Sequence, residues 1–289
     1  MKNIYLILKV ACVVLLMGAC TPEEFEQFDN STVHQDWPLA MNRTGYVVDS
    51  VVWYETEENH AKCIYEYDQN NKLKKYTLYI TILEQGQVKN KMYVDTLEYD
   101  GDRLQRVRTT TTEPFKPADQ SFFYDEGGRL IRYEYGDEYG DAVMCFAYRN
   151  GCMDSVYFPR DPEMYILLYY DTRGNVVRTL HRLMEYDIWN KPTGRYFTRM
   201  YEYEYDNNQR PNFNVDNAFM YEPIFGQGGT YSTFVRMISP NNMTRYSAGP
   251  EIWEYEYNER GLPTTMYHQF ADVVPTYHPV YRFTYRAVE

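Results

Sequence analysis

The sequence predicts an all-β fold in which consecutive antiparallel β-hairpins form a strongly curved sheet or soluble barrel of about fourteen strands. Three observations carry this prediction. An aromatic-Tyr-Asp frame recurs along the chain, a turn former follows each copy within a few residues, and the longer copies alternate aromatic with charged side chains. The 32 tyrosines fit the same reading, because tyrosine suits a pleated, half-buried surface.

The frame occurs at seven places: CysIleTyrGluTyrAsp (63–68), ThrLeuGluTyrAsp (96–100), PhePheTyrAsp (122–125), PheAlaTyrArg (146–149), LeuTyrTyrAsp (168–171), TyrGluTyrGluTyrAsp (201–206) and TrpGluTyrGluTyrAsn (253–258). The segments that follow are GlnAsnAsn, GlyAsp, GluGlyGly, AsnGly, ThrArgGly, AsnAsnGln and GluArgGly. Asp and Asn bond their own backbone across a tight reversal, and Gly or Asn tolerates the positive φ it needs. Each copy is therefore read as one hairpin.

Side-chain parity sets the two faces. Tyr201, Tyr203 and Tyr205 share one side of a strand, as do Trp253, Tyr255 and Tyr257, while Glu202, Glu204, Glu254 and Glu256 point the other way. The return strands supply Lys72, Lys74, Arg106, Arg108, Arg129, Arg132 and Arg178, so cross-strand Glu–Arg pairs are expected to help set the register. Between the hairpins, residues 113–119, 187–194 and 226–229 read as loops, and 211–220 has room for one helical turn.

The chain opens MetLysAsnIleTyrLeuIleLeuLysVal and reaches MetGlyAlaCys at 17–20, an apolar run too short to span a bilayer followed by small residues. LeuMetGlyAlaCys resembles a bacterial lipobox, which implies cleavage before Cys20 and lipidation of that cysteine, and hence a membrane partner through the anchor. The expected organisation is a lipoprotein signal peptide over 1–19, a lipidated cysteine and flexible tether over 20–44, and one hairpin-repeat domain over 45–289. The acidic ThrProGluGluPheGluGlnPheAspAsn after Cys20 reads as a solvated tether, and it resembles the surface-export signal of Bacteroidetes lipoproteins. The expected address is the outer membrane, facing the exterior.

Loss of Lys2 and Lys9 with the leader takes the formal charge from −12 to −14. Such a surface repels phosphate backbones, so no nucleic-acid partner is expected. Beyond the leader and Cys20, Cys63, Cys145 and Cys152 fit neither a zinc knuckle nor a paired disulfide framework, and a Cys145–Cys152 bridge stays open.

TyrAspGluGlyGlyArgLeu (124–130) and, more loosely, TyrAspThrArgGlyAsnVal (170–176) resemble the YD or RHS-type repeat of secreted bacterial proteins. The segments 203–213, 238–244 and 253–264 are similar to the ending of a Bacteroidetes lipoprotein family of unknown function with a porin-like fold. That resemblance implies fold and address, and it brings no functional residues with it. A membrane-spanning barrel shows an apolar band to lipid on alternate residues of every strand. Here alternate residues are Glu, Lys, Arg or Tyr, so the reading is a water-exposed barrel held outside the membrane by its lipid.

No catalytic residue, metal ligand set or cofactor motif is identified. The pairs Glu202/Glu204 and Glu254/Glu256 have a spacing that glycoside hydrolysis accepts, but the pattern recurs at several hairpins and reads as salt bridging. His34, His60, His181, His268 and His278 lack ligand spacing. Most tyrosines read as barrel core, with Trp53, Trp189 and Trp253 considered as exposed platforms. Binding is expected where the repeat breaks, at 111–120, 187–195 and 211–250. The candidate aromatics there are Trp189, Tyr196, Phe213, Phe219, Tyr221, Phe225 and Tyr231. AspSerVal at 49–51 and 154–156 resembles a short O-glycosylation motif, which marks Ser50 and Ser155. The expected function is a non-catalytic surface module for a glycan or partner protein. A structural spacer of the envelope is the alternative, and a glycan-processing enzyme the third reading.

Overall fold

The computed structural model describes residues 45–54, 59–113, 119–137, 140–187, 189, 191–211, 235–236, 238–247, 251–270 and 280–288. They form one closed antiparallel barrel of sixteen strands. In order these are β1 (Tyr46–Tyr54), β2 (His60–Tyr67), β3 (Leu73–Glu84), β4 (Gln87–Asp100), β5 (Arg103–Thr111), β6 (Asp119–Tyr124), β7 (Leu130–Asp137) and β8 (Gly140–Arg149). The second half holds β9 (Cys152–Phe158), β10 (Asp161–Tyr170), β11 (Val176–Tyr186), β12 (Pro192–Gln209), β13 (Asn241–Tyr246), β14 (Glu251–Tyr257), β15 (Pro263–Phe270) and β16 (Val280–Ala287). Each strand pairs with its sequence neighbours, and β1 closes the ring on β16.

Six of the seven expected Tyr turns join hairpins directly, β2–β3, β4–β5, β6–β7, β8–β9, β10–β11 and β14–β15. The turn expected at Asn207–Gln209 is corrected, because β12 runs on through those residues and its partner β13 follows only after residues 210–240; the seven pairs together account for fourteen strands. The remaining two, β1 and β16, make an eighth unit without a turn. The Val288 N–H donates to the Gly45 carbonyl at 2.8 Å where the turn would be. The Tyr turns and both ends of the barrel domain thus lie at one end, called proximal, and the alternate connections lie at the distal end.

The Asp of the repeat ties its own turn. Asp68 Oδ1 accepts from the backbone N–H of Asn70 and Lys72 at 2.8 and 2.9 Å, and Asp171 Oδ1 accepts from those of Arg173 and Asn175, both at 2.9 Å. Asn258 does the same for Arg260 and Leu262. The third residue after this Asp or Asn takes positive φ: Gly128, Gly174 and Gly261 in three turns, Asn71 in another. A Cβ on Gly128 would also come within 2.8 Å of the Arg103 guanidinium.

The tyrosine before the turn links one unit to the next. Hydroxyls of Tyr99, Tyr124, Tyr148, Tyr170, Tyr205 and Tyr285 donate to the carbonyls of Leu73, Leu104, Leu130, Met153, Val176 and Pro263 at 2.6–2.8 Å. Tyr67 closes the circle onto Val48 at 2.5 Å. At the eighth junction Tyr257 instead donates to Asp206, and Tyr255, two residues earlier, reaches the Met243 carbonyl at 3.0 Å. A register shift between Tyr205 and Gln209 on β12 accounts for the displacement. The Asn242 amide nitrogen packs against this bulge, 3.1 Å from both the Gln209 carbonyl and the Tyr257 hydroxyl.

Inward side chains form one core. Val48, Leu73, Leu104, Leu130, Met153, Val176 and Met243 ring the proximal end, all fully buried, with Tyr65, Tyr76, Phe122, Tyr133, Phe146 and Tyr203 in the next layer. Residues 235, 236 and 238 are helical and lie at this end, where Val235 and Ile238 join the core and the Ser239 hydroxyl donates to the Tyr205 hydroxyl at 2.9 Å.

Charged side chains decorate the outer wall. Arg108–Glu98, Arg178–Glu202, Lys75–Glu66 and Arg245–Glu204 are cross-strand ion pairs at 2.6–3.8 Å, as parity predicts. Lys72, Arg129 and Arg132 depart from that expectation: Lys72 reaches Asp102 of the next turn, Arg129 folds back on Asp125 of its own, and Arg132 pairs with Glu134 on its own strand. The alternation is the reverse of the one lipid demands, with apolar groups inside and charges outside. No helix among the described residues is long and apolar enough to cross a membrane.

Three expectations are corrected. Pro192–Gly194 belong to β12 rather than to a loop, because proline fits the first position of a strand, where its missing N–H costs nothing. The expected long loop over 211–250 contains β13. Trp253 is no exposed platform, being 1% exposed and stacked on His268 at 5.2 Å. Cys63, Cys145 and Cys152 are all free thiols, since Cys145 lies on the outer wall opposite Arg132 and Tyr157 while Cys152 sits beside the turn opposite Arg149.

Candidate binding surface at the distal rim

Among the described residues two hairpins stand out at the distal rim. The β3–β4 and β11–β12 hairpins stand eight strands apart in a ring of sixteen, and so on opposite sides of the opening. The first exposes Leu83 and Val88, paired across the strands near its tip. The second exposes Tyr186 and Phe197, and at its tip Trp189, which is 75% exposed.

Trp189 is held by the same device that builds the proximal turns. Tyr186-Asp187 is a further Tyr-Asp pair, and Asp187 Oδ1 accepts from the N–H groups of Trp189 and Lys191, both at 2.9 Å, while the Asp187 N–H donates to the Lys191 carbonyl. The backbone carrying the ring is therefore fixed before any ligand arrives, which lowers the ordering cost of binding.

Tyr196 lies on the outer wall of the same hairpin, but its ring is occupied. Its hydroxyl donates to the Asp161 carboxylate at 2.8–2.9 Å, and the Arg182 guanidinium lies 5.2 Å above the ring. The hydrogen bond to Asp161 holds the phenol above its usual range. Tyr196 thus braces β12 against β10. Phe213, Phe219, Tyr221, Phe225 and Tyr231 lie outside the described residues, as does Cys20; the segment carrying those five aromatics starts and ends at the proximal end. Ser50 and Ser155 lie within β1 and β9, the former bonded to the Thr284 hydroxyl at 2.8 Å.

Below the rim the core turns polar. His181 Nε2 and the Thr179 hydroxyl are 2.8 Å apart, and Thr179 meets the Tyr203 hydroxyl at 2.9 Å. The imidazole packs edge-on against Tyr201 at 4.6 Å. Burial, and then the nearby Arg199 guanidinium, push His181 down to about 4, so the ring is neutral. Asp95 is buried next to Thr109, and desolvation raises its carboxyl to about 6 despite the bond from Thr109. Cys63 is buried close by, and desolvation raises its thiol to about 12, which leaves it protonated and inert as a nucleophile.

Sequence reasoning passed over Asp95, Phe197 and Arg199, and weighed His181 only as a metal ligand. The signal was parity: Asp95 shares the face of Leu97 and Tyr99, and Arg199 that of Tyr201 and Tyr203. The paired carboxylates are consumed on the outer wall. Glu202 and Glu204 are ion-paired, Glu254 accepts from Gln269 at 3.2 Å, and Glu256 accepts from Tyr267 at 2.9 Å. Among the described residues no three His, Cys, Asp or Glu side chains converge to hold a metal ion.

No family model matches the chain, and no curated protein does. Among solved structures it is similar to a porin-like protein from Bacteroides uniformis, at 10% identity over 83% of this chain and 98% of the other, with a TM-score of 0.52. A porin-like protein from Bacteroides vulgatus matches at 15% identity over 83% and 98%, with a TM-score of 0.40. The first of these shows a shared barrel fold.

Proposed function

We propose that the chain is a non-catalytic binding module of the bacterial cell envelope, anchored by lipid at Cys20, that presents its distal rim to a glycan or a partner protein. The observation that carries this reading is the placement of the exposed, preorganised Trp189 at the end of the barrel opposite Gly45. A tether over residues 20–44 enters at Gly45, so an anchor at Cys20 leaves the Trp189 hairpin directed away from the membrane. The lipobox-like LeuMetGlyAlaCys, the acidic residues after it and the likeness to porin-like Bacteroides barrels support an envelope address. The charged outer wall supports a barrel that stands outside the bilayer rather than within it. Ser50 and Ser155 would then be the sites of any O-glycosylation on the exported protein.

The test is a thermal-shift screen of the whole chain against glycans, peptides and divalent ions, with Trp189→Ala alongside. A ligand at a hundred times its Kd raises stability by about 2.7 kcal/mol. A shift in the parent protein that Trp189→Ala abolishes supports the rim. A shift unaffected by Trp189→Ala removes the rim from the reading, and no shift across the panel favours the structural spacer.

A further inference from the structure

We infer that the distal edge of β12 is a strand-addition site for an extended polypeptide segment carrying a carboxylate. The inference rests on the distal rim being the binding face, and names what that face takes.

The β11–β12 ladder runs without a break from Arg178↔Glu202 to Met184↔Tyr196. On its other flank β12 loses its neighbour early. The last contact with β13's side is at Glu202, whose N–H donates to the Ser247 hydroxyl at 2.7 Å and whose carbonyl accepts from the Ser247 N–H at 2.9 Å. Backbone groups alternate sides along a strand, so Met200, Thr198 and Tyr196 aim their N–H and C=O groups the same way as Glu202. Among the described residues no strand lies there, and residues 197–200 are exposed. Among the described residues the wall therefore has a step here, which presents the donor and acceptor row that an added strand uses.

The side chains along the step choose the occupant. Toward the barrel interior point Phe197, 44% exposed, and Arg199. Arg199 lies 5.1 Å from the Tyr201 ring and has no carboxylate partner among the described residues, whereas Arg195 is committed to Glu185 at 2.8 Å. An inward-pointing charge at a sheet edge discourages indiscriminate pairing. A strand with Asp or Glu at the facing position turns that charge into a cross-strand pair. Met200, on the outer face, offers an apolar contact to alternate residues of the same strand. A second copy of this chain fits poorly, because it brings the same arginines to a partner of the same −12 net charge.

The experiment is selection of random displayed peptides on the whole chain, followed by binding to Thr198→Pro and Arg199→Glu. Proline at 198 removes an N–H that β11 does not use, so the melting temperature should hold while binding falls roughly tenfold or more, the scale of a lost backbone hydrogen bond or two. Arg199→Glu should switch the selected peptides from acidic to basic, and it remains informative if Thr198→Pro disturbs the fold. Peptides that bind folded Thr198→Pro as well as the parent, or that ignore the charge reversal, overturn the inference, as does the absence of any enrichment. Glycan binding that requires Trp189, without peptide binding, would leave the rim reading standing and remove only the strand-addition site.

Discussion

The Tyr148 hydroxyl donates to the Leu130 carbonyl at 2.8 Å, and the guanidinium of the preceding Arg129 lies 5.2 Å over the same ring. The Arg-Leu pair of one hairpin thus grips the tyrosine of the next: Leu supplies the carbonyl and a core side chain, Arg covers the ring. Arg103-Leu104 holds Tyr124 in the same way, and Lys72-Leu73 holds Tyr99. The repeat therefore encodes the junction between hairpins as well as each hairpin.

Removing one grip should loosen the barrel without opening it. Tyr148→Phe keeps the ring and loses a bond worth about 0.5–1.5 kcal/mol. Tyr170→Phe should cost more, because its hydroxyl bonds Met153 in a fully buried setting and leaves that carbonyl dry. Denaturant unfolding of both variants measures the difference, and equal costs would mean that burial of the junction does not set its strength.

The fold was legible where its cause is local. Asp68, Asp125, Asp171 and Asn258 bond backbone groups within four residues, so the string itself shows each turn. The two strands beyond fourteen were illegible because β1 and β16 share no turn: Ser50 and Thr284, 234 residues apart, meet only once the ring is complete. Residues 187–194 read as a loop although Tyr186-Asp187 makes one more turn of the same kind. The bond from Tyr196 to Asp161 was illegible because its partner lies on β10, where no sequence pattern links the two. Phe197 and Arg199 matter because β13 ends early, and nothing in their own segment announces that.

The polar layer should show in the pH dependence of stability. Asp95 has its carboxyl raised to about 6, so the folded chain binds its proton more tightly than the unfolded chain, and stability falls as pH rises from about 4 to 6. His181, lowered to about 4, acts the opposite way: its contribution is present above pH 6.5 and is lost as pH falls toward 4. The two slopes offset each other in the parent protein. Asp95→Asn removes a charge penalty on the order of 3 kcal/mol at neutral pH and leaves the His181 slope exposed. Melting curves from pH 4 to 8 should be flatter for the parent than for Asp95→Asn, which should gain most above pH 6. The same profile in both proteins would show that Asp95 is not buried in solution.

Closure makes a further prediction about the end of the chain. β16 lays Tyr281 against Trp53, pairs Phe283 with Val51, sends the Tyr285 hydroxyl to Pro263 and places Arg286 over Tyr67 at 4.5 Å. Ending the chain at Pro279 strips that strand and leaves the edges of β1 and β15 open at once. The single cooperative melting transition should disappear, and a synthetic peptide of residues 280–289 should restore it. Removing Val288 and Glu289 alone should change little, since among the described residues it takes the Val288–Gly45 bond and leaves β16 whole. A cooperative transition at unchanged temperature without β16 would mean that the barrel does not depend on its closing strand.

The proposed anchor at Cys20 and the proposed binding rim give the last prediction. In the proposed function the anchor is lipid at Cys20, and the described barrel begins at Gly45 on the end opposite Trp189. Cys20→Ser should move the protein from the membrane fraction to the soluble one while leaving its melting temperature unchanged, since residues 20–44 precede β1. A cysteine introduced by Lys191→Cys, next to the Asp187 clamp, should then react on intact cells with a maleimide too large and charged to cross the outer membrane. Cys63, Cys145 and Cys152 are buried and supply the unreactive background. Labelling on intact cells places the rim outside the cell. Labelling only after the outer membrane is broken would place the module on the inner side, and a membrane-bound Cys20→Ser protein would remove the anchor itself.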